Sequence, residues 1–185
     1  ESLSTGQYTL QFYHAPMVHW PDSMATYLKE KSILFSNDAF GQHIASPKRF
    51  DDETGLKKTL QESAKYYANI VMPFGAQVQK VMNALSKLTI HLIAPSHGVI
   101  WRSHINKIIT AYSDWSTGTT ESSAVIIYDT MWGSTEIMAK SILEVFEQKG
   151  IPARLISLQN NHISDIMTHV LLSRYVCVGS PTLNN

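Results

Sequence analysis

His19, Asp38 and His97 carry the side chains best suited to metal chemistry in the N-terminal half of the chain. Each falls on a loop-like end of a predicted strand. Their settings are Ala15-Pro16-Met17-Val18-His19-Trp20-Pro21-Asp22-Ser23-Met24, Phe35-Ser36-Asn37-Asp38-Ala39-Phe40-Gly41-Gln42-His43 and Ala94-Pro95-Ser96-His97-Gly98. Imidazole together with carboxylate suits iron, zinc or manganese. No compact ligand motif joins the three, so spacing alone leaves an ordinary alternative for each. A histidine can be a hydrogen-bonded core or surface residue, and Asp38 can serve a turn. His14, His43, His91, His104, His162 and His169 are read in that ordinary way.

A second chemistry belongs to the C-terminal half. Asp129-Thr130-Met131-Trp132-Gly133-Ser134-Thr135-Glu136 lies between an apolar run and a helical pattern. The first N–H groups of a helix are unpaired and converge on one spot, where the helix dipole favours negative charge. The hydroxyls of Thr130, Ser134 and Thr135 add donors, and Gly133 lets the main chain approach closely. No lysine stands in the loop, which disfavours a nucleoside triphosphate with magnesium and suits a monophosphate held by neutral donors. Simple capping of the helix by Ser134 or Thr135 is the competing explanation. A further loop, Gly179-Ser180-Pro181-Thr182-Leu183-Asn184-Asn185, leaves the carboxyl end of a later strand. Doubly wound sheets bind ligands at that end, so both loops should face one crevice.

The elements that position these residues follow from periodicity. Tyr8, Leu10 and Phe12 alternate as in a half-buried strand. Residues 22–31 read as a short helix or turn, 32–36 as a strand, and 60–87 as a helix interrupted near Pro73, whose ring removes a backbone donor. Residues 90–94 form a strand before the sharp loop Pro95-Ser96-His97-Gly98, and Ile105, Ile108, Ile109 and Tyr112 mark one face of a further helix. The polar, small-residue stretch 113–123 reads as a linker. With the boundary near Gly118, it separates units 1–117 and 123–185. Beyond it, 124–128 is a β-rich apolar run of the kind covered on both faces. A helix reaching Lys149 and ending at Gly150, a strand at 153–157, a short helix at 164–169 and a strand at 175–179 complete the pattern. Strand–helix alternation implies an α/β class with a parallel sheet. Three strands are few for a doubly wound sheet. The chain starts at Glu1 and stops just after a strand, so we expect a fragment of a longer protein.

Composition narrows the function. The chain has 185 residues, 44% of them hydrophobic, close to the ~45–50% of globular proteins and incompatible with a disordered segment. Fifteen basic residues balance fifteen acidic ones, leaving no cationic excess with which to hold a phosphate backbone, so no nucleic-acid partner is expected. Charged residues are only 16% against roughly 25% in an average protein, a sign of covered surface. The longest apolar runs fall far short of the ~20 residues of a membrane span, and no signal peptide is visible. One cysteine, Cys177, cannot form an internal disulfide and leans towards a reducing, cytoplasmic setting.

The two C-terminal loops resemble those of flavodoxins, whose first loop holds the FMN phosphate and whose next flanks the isoalloxazine ring. Trp132 departs from that pattern, since flavodoxins favour a hydroxyl residue there. His19, Asp38 and His97 in their order are similar to the second half of the metallo-β-lactamase-like fold. Five segments strengthen the likeness: His-Trp-Pro-Asp-Ser-Met, Ser-Asn-Asp-Ala-Phe-Gly-Gln-His, Ala-Pro-Ser-His-Gly-Val-Ile-Trp, Tyr-Asp-Thr-Met-Trp-Gly-Ser-Thr-Glu and Gly-Ser-Pro-Thr-Leu-Asn-Asn. In this order they resemble flavodiiron proteins across essentially the whole chain.

That resemblance implies the C-terminal half of a metallo-β-lactamase-like αββα domain followed by the N-terminal part of a flavodoxin-like doubly wound parallel sheet. It implies two non-haem irons, with His19 on one, His97 on the other and Asp38 bridging. Thr130, Met131, Trp132, Gly133, Ser134, Thr135, Pro181, Thr182, Leu183, Asn184 and Asn185 would contact FMN, and His43, Trp20 and Trp101 would lie around the metal pocket. The implied activity is reduction of O2 to water or of NO to N2O, fed by a rubredoxin-like or reductase donor. The implied assembly is a head-to-tail homodimer or dimer of dimers, with Met131 and Trp132 near the junction. The family's upstream His-x-Glu-x-Asp-His motif is absent from this stretch, so the metal site would be incomplete and the isolated fragment inactive. A metal-free flavodoxin-like electron carrier and a zinc hydrolase of the β-lactamase-like group are the alternatives.

Overall fold

The computed structural model describes residues 1–182 and divides into two compact units, Glu1–Gly118 and Thr119–Asn185. The first unit contains a five-stranded sheet in the order β1-β2-β3-β4-β5. Its strands are β1 (Ser2–Ser4), β2 (Thr9–His14), β3 (Met24–Leu28), β4 (Ile33–Asn37) and β5 (Leu92–Pro95). The first four pair antiparallel, whereas β5 runs parallel to β4. Period-two alternation decides what each strand buries. Ala25 and Tyr27 of β3, Leu34 and Ser36 of β4, and Ile93 of β5 are buried, while Met24 and Phe35 remain exposed.

Residues 22–31 are not the expected helix or turn. Met24–Leu28 is a strand, and only Lys29–Lys31 makes a single 3₁₀ turn. Partners on both sides decide this, since β3 hydrogen-bonds to β2 and to β4 at once and local propensity yields to the ladder. The edge strand β1, with exposed Ser2 and Ser4, carried no periodic signal.

Helices follow: α1 (Asp51–Thr54), α2 (Leu56–Tyr66), α3 (Gly75–Leu85) and α4 (Ile105–Thr117). The long helix expected over 60–87 is broken where Pro73 demands it. A π-turn at Tyr67–Val71 and a 3₁₀ turn at Met72–Phe74 separate α2 from α3. Helix α2 buries Thr59, Ser63, Ala64 and Tyr66, and α4 buries Ile108 and Tyr112. Helix α4 extends to Thr117, and Gly118 closes it at φ +71°, so the expected linker shrinks to the few residues before the next strand.

The second unit is a three-stranded parallel sheet ordered β7-β6-β8. Its elements are β6 (Glu121–Tyr128), α5 (Ser134–Gln148), β7 (Ala153–Ser157), α6 (Ile163–Leu172) and β8 (Ser173–Gly179). Central strand β6 separates two small cores. Val125 and Ile127 join Ile156 and Ile166 on one side, and Ile126 and Tyr128 join Ala139 on the other. That two-sided burial is what the unbroken apolar run at 124–128 required.

One buried carboxylate fastens part of the first unit. The Asp51 carboxylate is fully buried. It accepts the main-chain N–H groups of Arg102, Ser103 and His104 and lies 2.7 Å from His104 Nδ1, fixing the turn that leads into α4. Burial pushes the Asp51 carboxyl up, but these donors outweigh it and hold its pKa below the usual carboxylate range. A lowered acidic pKa contributes stability above the ordinary value of ~3.9 and loses it as pH falls through the folded value. In the full-length protein, Asp51→Ala should cost about 3 kcal/mol at neutral pH. By urea denaturation, the gap between parent and variant should narrow below about pH 4.

Candidate functional site

Strand direction explains why three residues so far apart in sequence meet. Strand β3 runs antiparallel to β4 and starts beside its carboxyl end, with Thr26 opposite Phe35. The β2–β3 connection that holds His19 therefore lies at that end. Strand β5 is parallel to β4, so its exit loop, with His97, leaves on the same side, where Ser96 N–H donates to Asn37 O at 2.8 Å. Asp38 follows β4 directly and sits between the two.

The geometry is that of one carboxylate addressed from two directions. His19 Nε2 lies 3.3 Å from Asp38 Oδ2, and His97 Nε2 lies 3.8 Å from Asp38 Oδ1. All three side chains are largely buried yet keep some access, at 23%, 18% and 32% exposure for His19, Asp38 and His97. Each oxygen faces a different imidazole, which fits a carboxylate bridge between two cations with one histidine on each. Among the described residues, no group of three or more His, Cys, Asp or Glu side chains encloses a single metal position. The three residues thus fit part of a two-metal ligand set, and the remaining ligands must come from elsewhere.

The surrounding wall is aromatic. Tyr66 places its ring 4.9 Å from His97, 5.0 Å from His43 and 6.4 Å from His19. Burial, then the nearby Asp38 charge, pushes its phenol pKa well up, so Tyr66 stays a neutral O–H. Trp20 packs 5.5 Å from His19 but is 60% exposed, and His43 lies 5.1 Å from His97. Trp101 is fully buried, and its indole N–H donates to Phe40 O at 2.9 Å. It supports the loop beneath the pocket rather than lining it.

Non-glycine residues with left-handed backbone cluster here. Met17, Asn37 and Phe40 have φ of 62°, 56° and 65°, a strain that persists only when surroundings fix it. At Phe40 the fixing groups are visible. Its N–H donates to the Tyr112 hydroxyl at 2.7 Å, and its carbonyl accepts from Gln42 Nε2 and Trp101 Nε1. Gly41 is needed for close approach, because a Cβ there would stand 2.6 Å from His97 Cε1.

Sequence reasoning did not single out Tyr66, Gln42 or Gly41 as site residues. Gln42 and Gly41 lay inside a quoted segment with nothing to mark their roles. Tyr66 sits in an ordinary amphipathic helix and reaches the pocket only through tertiary packing.

In the second unit, Gly133 has φ +86° and precedes α5 with no side-chain cap on the helix start. The capping alternative for Ser134 and Thr135 therefore does not describe this loop, and neither hydroxyl makes a hydrogen bond among the described residues. Thr130 Oγ1 accepts the Gly133 N–H at 3.0 Å, shaping the turn. The Gln159 amide donates to Asp129 Oδ1 and to Thr130 O, at 2.8 and 2.7 Å, and pins the loop from outside. Strand β8 ends beside it: Asp129 N–H donates to Gly179 O at 3.0 Å, and a Cβ on Gly179 would meet Thr135 Cγ2 at 2.9 Å. The two loops thus border one another, as the strand pattern required. The uncapped N–H groups, a glycine turn and flanking hydroxyls fit a phosphate group. Met131 and Trp132 are 52% and 89% exposed. Pro181 and Thr182 continue from β8, whereas the expectations for Leu183, Asn184 and Asn185 lie outside the described residues.

Comparison with known proteins bears on both units. Residues 1–98 match the family described as ODP family beta lactamase, and residues 126–185 match flavodoxin. The chain is 47% identical over 186 residues to a nitric oxide reductase of Moorella thermoacetica, covering all of this chain and 47% of that protein. It is similar in structure to the rubredoxin oxygen:oxidoreductase of Desulfovibrio gigas, with a TM-score of 0.95 and 37% identity over 100% of this chain and 47% of that one. The flavodiiron protein of Giardia intestinalis gives 0.95 and 36%, over 100% and 46%. The chain spans about half the length of these relatives. With a β-lactamase-like unit carrying a shared carboxylate, followed in sequence by a flavodoxin unit, the chain belongs to the flavodiiron protein family.

Proposed function

We propose that the whole protein is a flavin- and diiron-dependent oxidoreductase reducing O2 to water, NO to N2O, or both. In this reading residues 1–117 belong to the diiron domain and 123–185 to the FMN domain. The observation that carries it is Asp38 presenting one oxygen to His19 and the other to His97. When bound, two irons supply the reducing centre and FMN supplies electrons singly or in pairs.

The chain's own residues do the rest. His19 and His97 would each hold one iron, and the Asp38 carboxylate would offset their positive charge. Buried Tyr66 excludes water from one side of the pocket, and its neutral hydroxyl is suited to donate a hydrogen bond there. In the second unit Thr130, Gly133, Ser134 and Thr135 hold the FMN phosphate. Met131, Trp132, Pro181 and Thr182 would contact the ring. The exposure of Trp132 and Met131 supports a head-to-tail dimer, or a dimer of dimers, in which one subunit's flavin meets the partner's metal centre. The electron donor is a rubredoxin-like protein or a reductase. No helix among the described residues is long and apolar enough to cross a membrane, and the single cysteine supports a cytoplasmic setting.

Full-length protein should contain about two irons per chain, and Asp38→Ala should lose most of both together with NO and O2 consumption. Iron-free protein with normal flavin would instead identify an electron carrier, and zinc with hydrolytic activity a hydrolase. Ser134→Glu should weaken FMN binding at least about tenfold by placing a carboxylate at the phosphate position, read by flavin fluorescence titration. Analytical ultracentrifugation should show dimers or tetramers, and monomers alone would contradict the assembly.

A further inference from the structure

Gln42 has no charge and touches no candidate cofactor, yet the loops of two metal-ligating residues meet on it. It is fully buried. Its Nε2 donates to Phe40 O at 2.7 Å and approaches Val99 O at 3.4 Å, and its Oε1 accepts the Val99 N–H at 2.8 Å. One carboxamide therefore ties the loop two residues beyond Asp38 to the loop two residues beyond His97. Its own main-chain carbonyl lies 3.3 Å from His97 Nδ1. A proton on Nδ1 donated to that carbonyl fixes the ring with Nε2 turned towards Asp38. Gly98 completes the fit, because at φ +83° a Cβ would collide with the Gln42 carboxamide oxygen and main chain.

The support is one-sided. His19 has ring contacts to Trp20 and Tyr66 and its approach to Asp38, but no hydrogen bond at Nδ1 among the described residues. We infer that Gln42 is a positioning residue for His97, governing one of the two metal positions and not the other. The inference rests on the metal-centre reading above.

The test compares full-length wild type with Gln42→Met, which keeps the length of the side chain and removes its donor and acceptor. His97→Ala and His19→Ala assign the two positions, and Val78→Ala, a core truncation on α3, controls for general destabilisation. Metal binding is read by Fe(II) titration of the metal-free protein and by Mössbauer spectra after reloading with 57Fe. Gln42→Met should weaken a single position by about 10- to 100-fold, the one that His97→Ala abolishes. The other position, and both positions in Val78→Ala, should stay unchanged. Gly98→Ala should repeat the pattern from the opposite side, and it stands in if Gln42→Met fails to fold.

A second readout needs no metal. In 15N-histidine spectra of the metal-free protein, the His97 Nδ1–H should be hydrogen-bonded and slow to exchange with water in wild type and lose that bond in Gln42→Met. Equal weakening of both positions would overturn the inference, as would unchanged affinity or an unchanged Nδ1 hydrogen bond in a folded variant. Wild-type protein that binds no iron would refute the metal-centre reading instead, and the Nδ1 hydrogen bond would still decide the role of Gln42.

Discussion

Asp38 is the constraint on which the first unit turns. One imidazole approaches each of its two oxygens, and among the described residues neither histidine has another acidic partner. A carboxylate shared in this way is costly to leave partly desolvated unless cations stand on it. The fold accepts that cost together with left-handed backbone at Asn37 and Phe40 on either side. Strain of this kind survives because Tyr112, Trp101 and Gln42 all hydrogen-bond to Phe40.

A second histidine–aspartate contact in the same unit shows what a structural pair looks like. Asp51 is fully enclosed, accepts three main-chain N–H groups and binds a single imidazole at 2.7 Å. Its acceptor capacity is spent on the turn leading into α4. Asp38 keeps part of its surface open, lies farther from its histidines and faces an aromatic pocket. Both pairs consist of the same two residue types. The number of donors already satisfied distinguishes a fastening from a site.

The flavodoxin unit reaches its site by a different route. What the loop before α5 offers an anion is main-chain N–H groups, so the requirement falls on backbone shape rather than on particular acids or bases. Gly133 supplies the left-handed turn, Thr130 closes it, and Gln159 holds it from β7's exit loop. Because β6 and β8 are parallel neighbours, their exit loops necessarily emerge side by side.

Local patterns were enough to define the second unit. Its apolar runs, the helix ended by Gly150 and the glycine turn are short-range signals, and the parallel order follows from right-handed crossovers. In the first unit the same signals located the strands bearing Asp38 and His97 and the break at Pro73. They failed at Met24–Leu28, whose strand character comes from neighbours on both sides. Composition and motif order could nominate His19, Asp38 and His97 and suggest the family, but not bring them within ångströms of one another. Sheet order did that, since antiparallel β3 and parallel β5 flank β4 and direct three loops to one end. Tyr66, Gln42 and Gly41 were decided by packing alone, because a residue's distance from a site in space leaves no periodic trace along the chain.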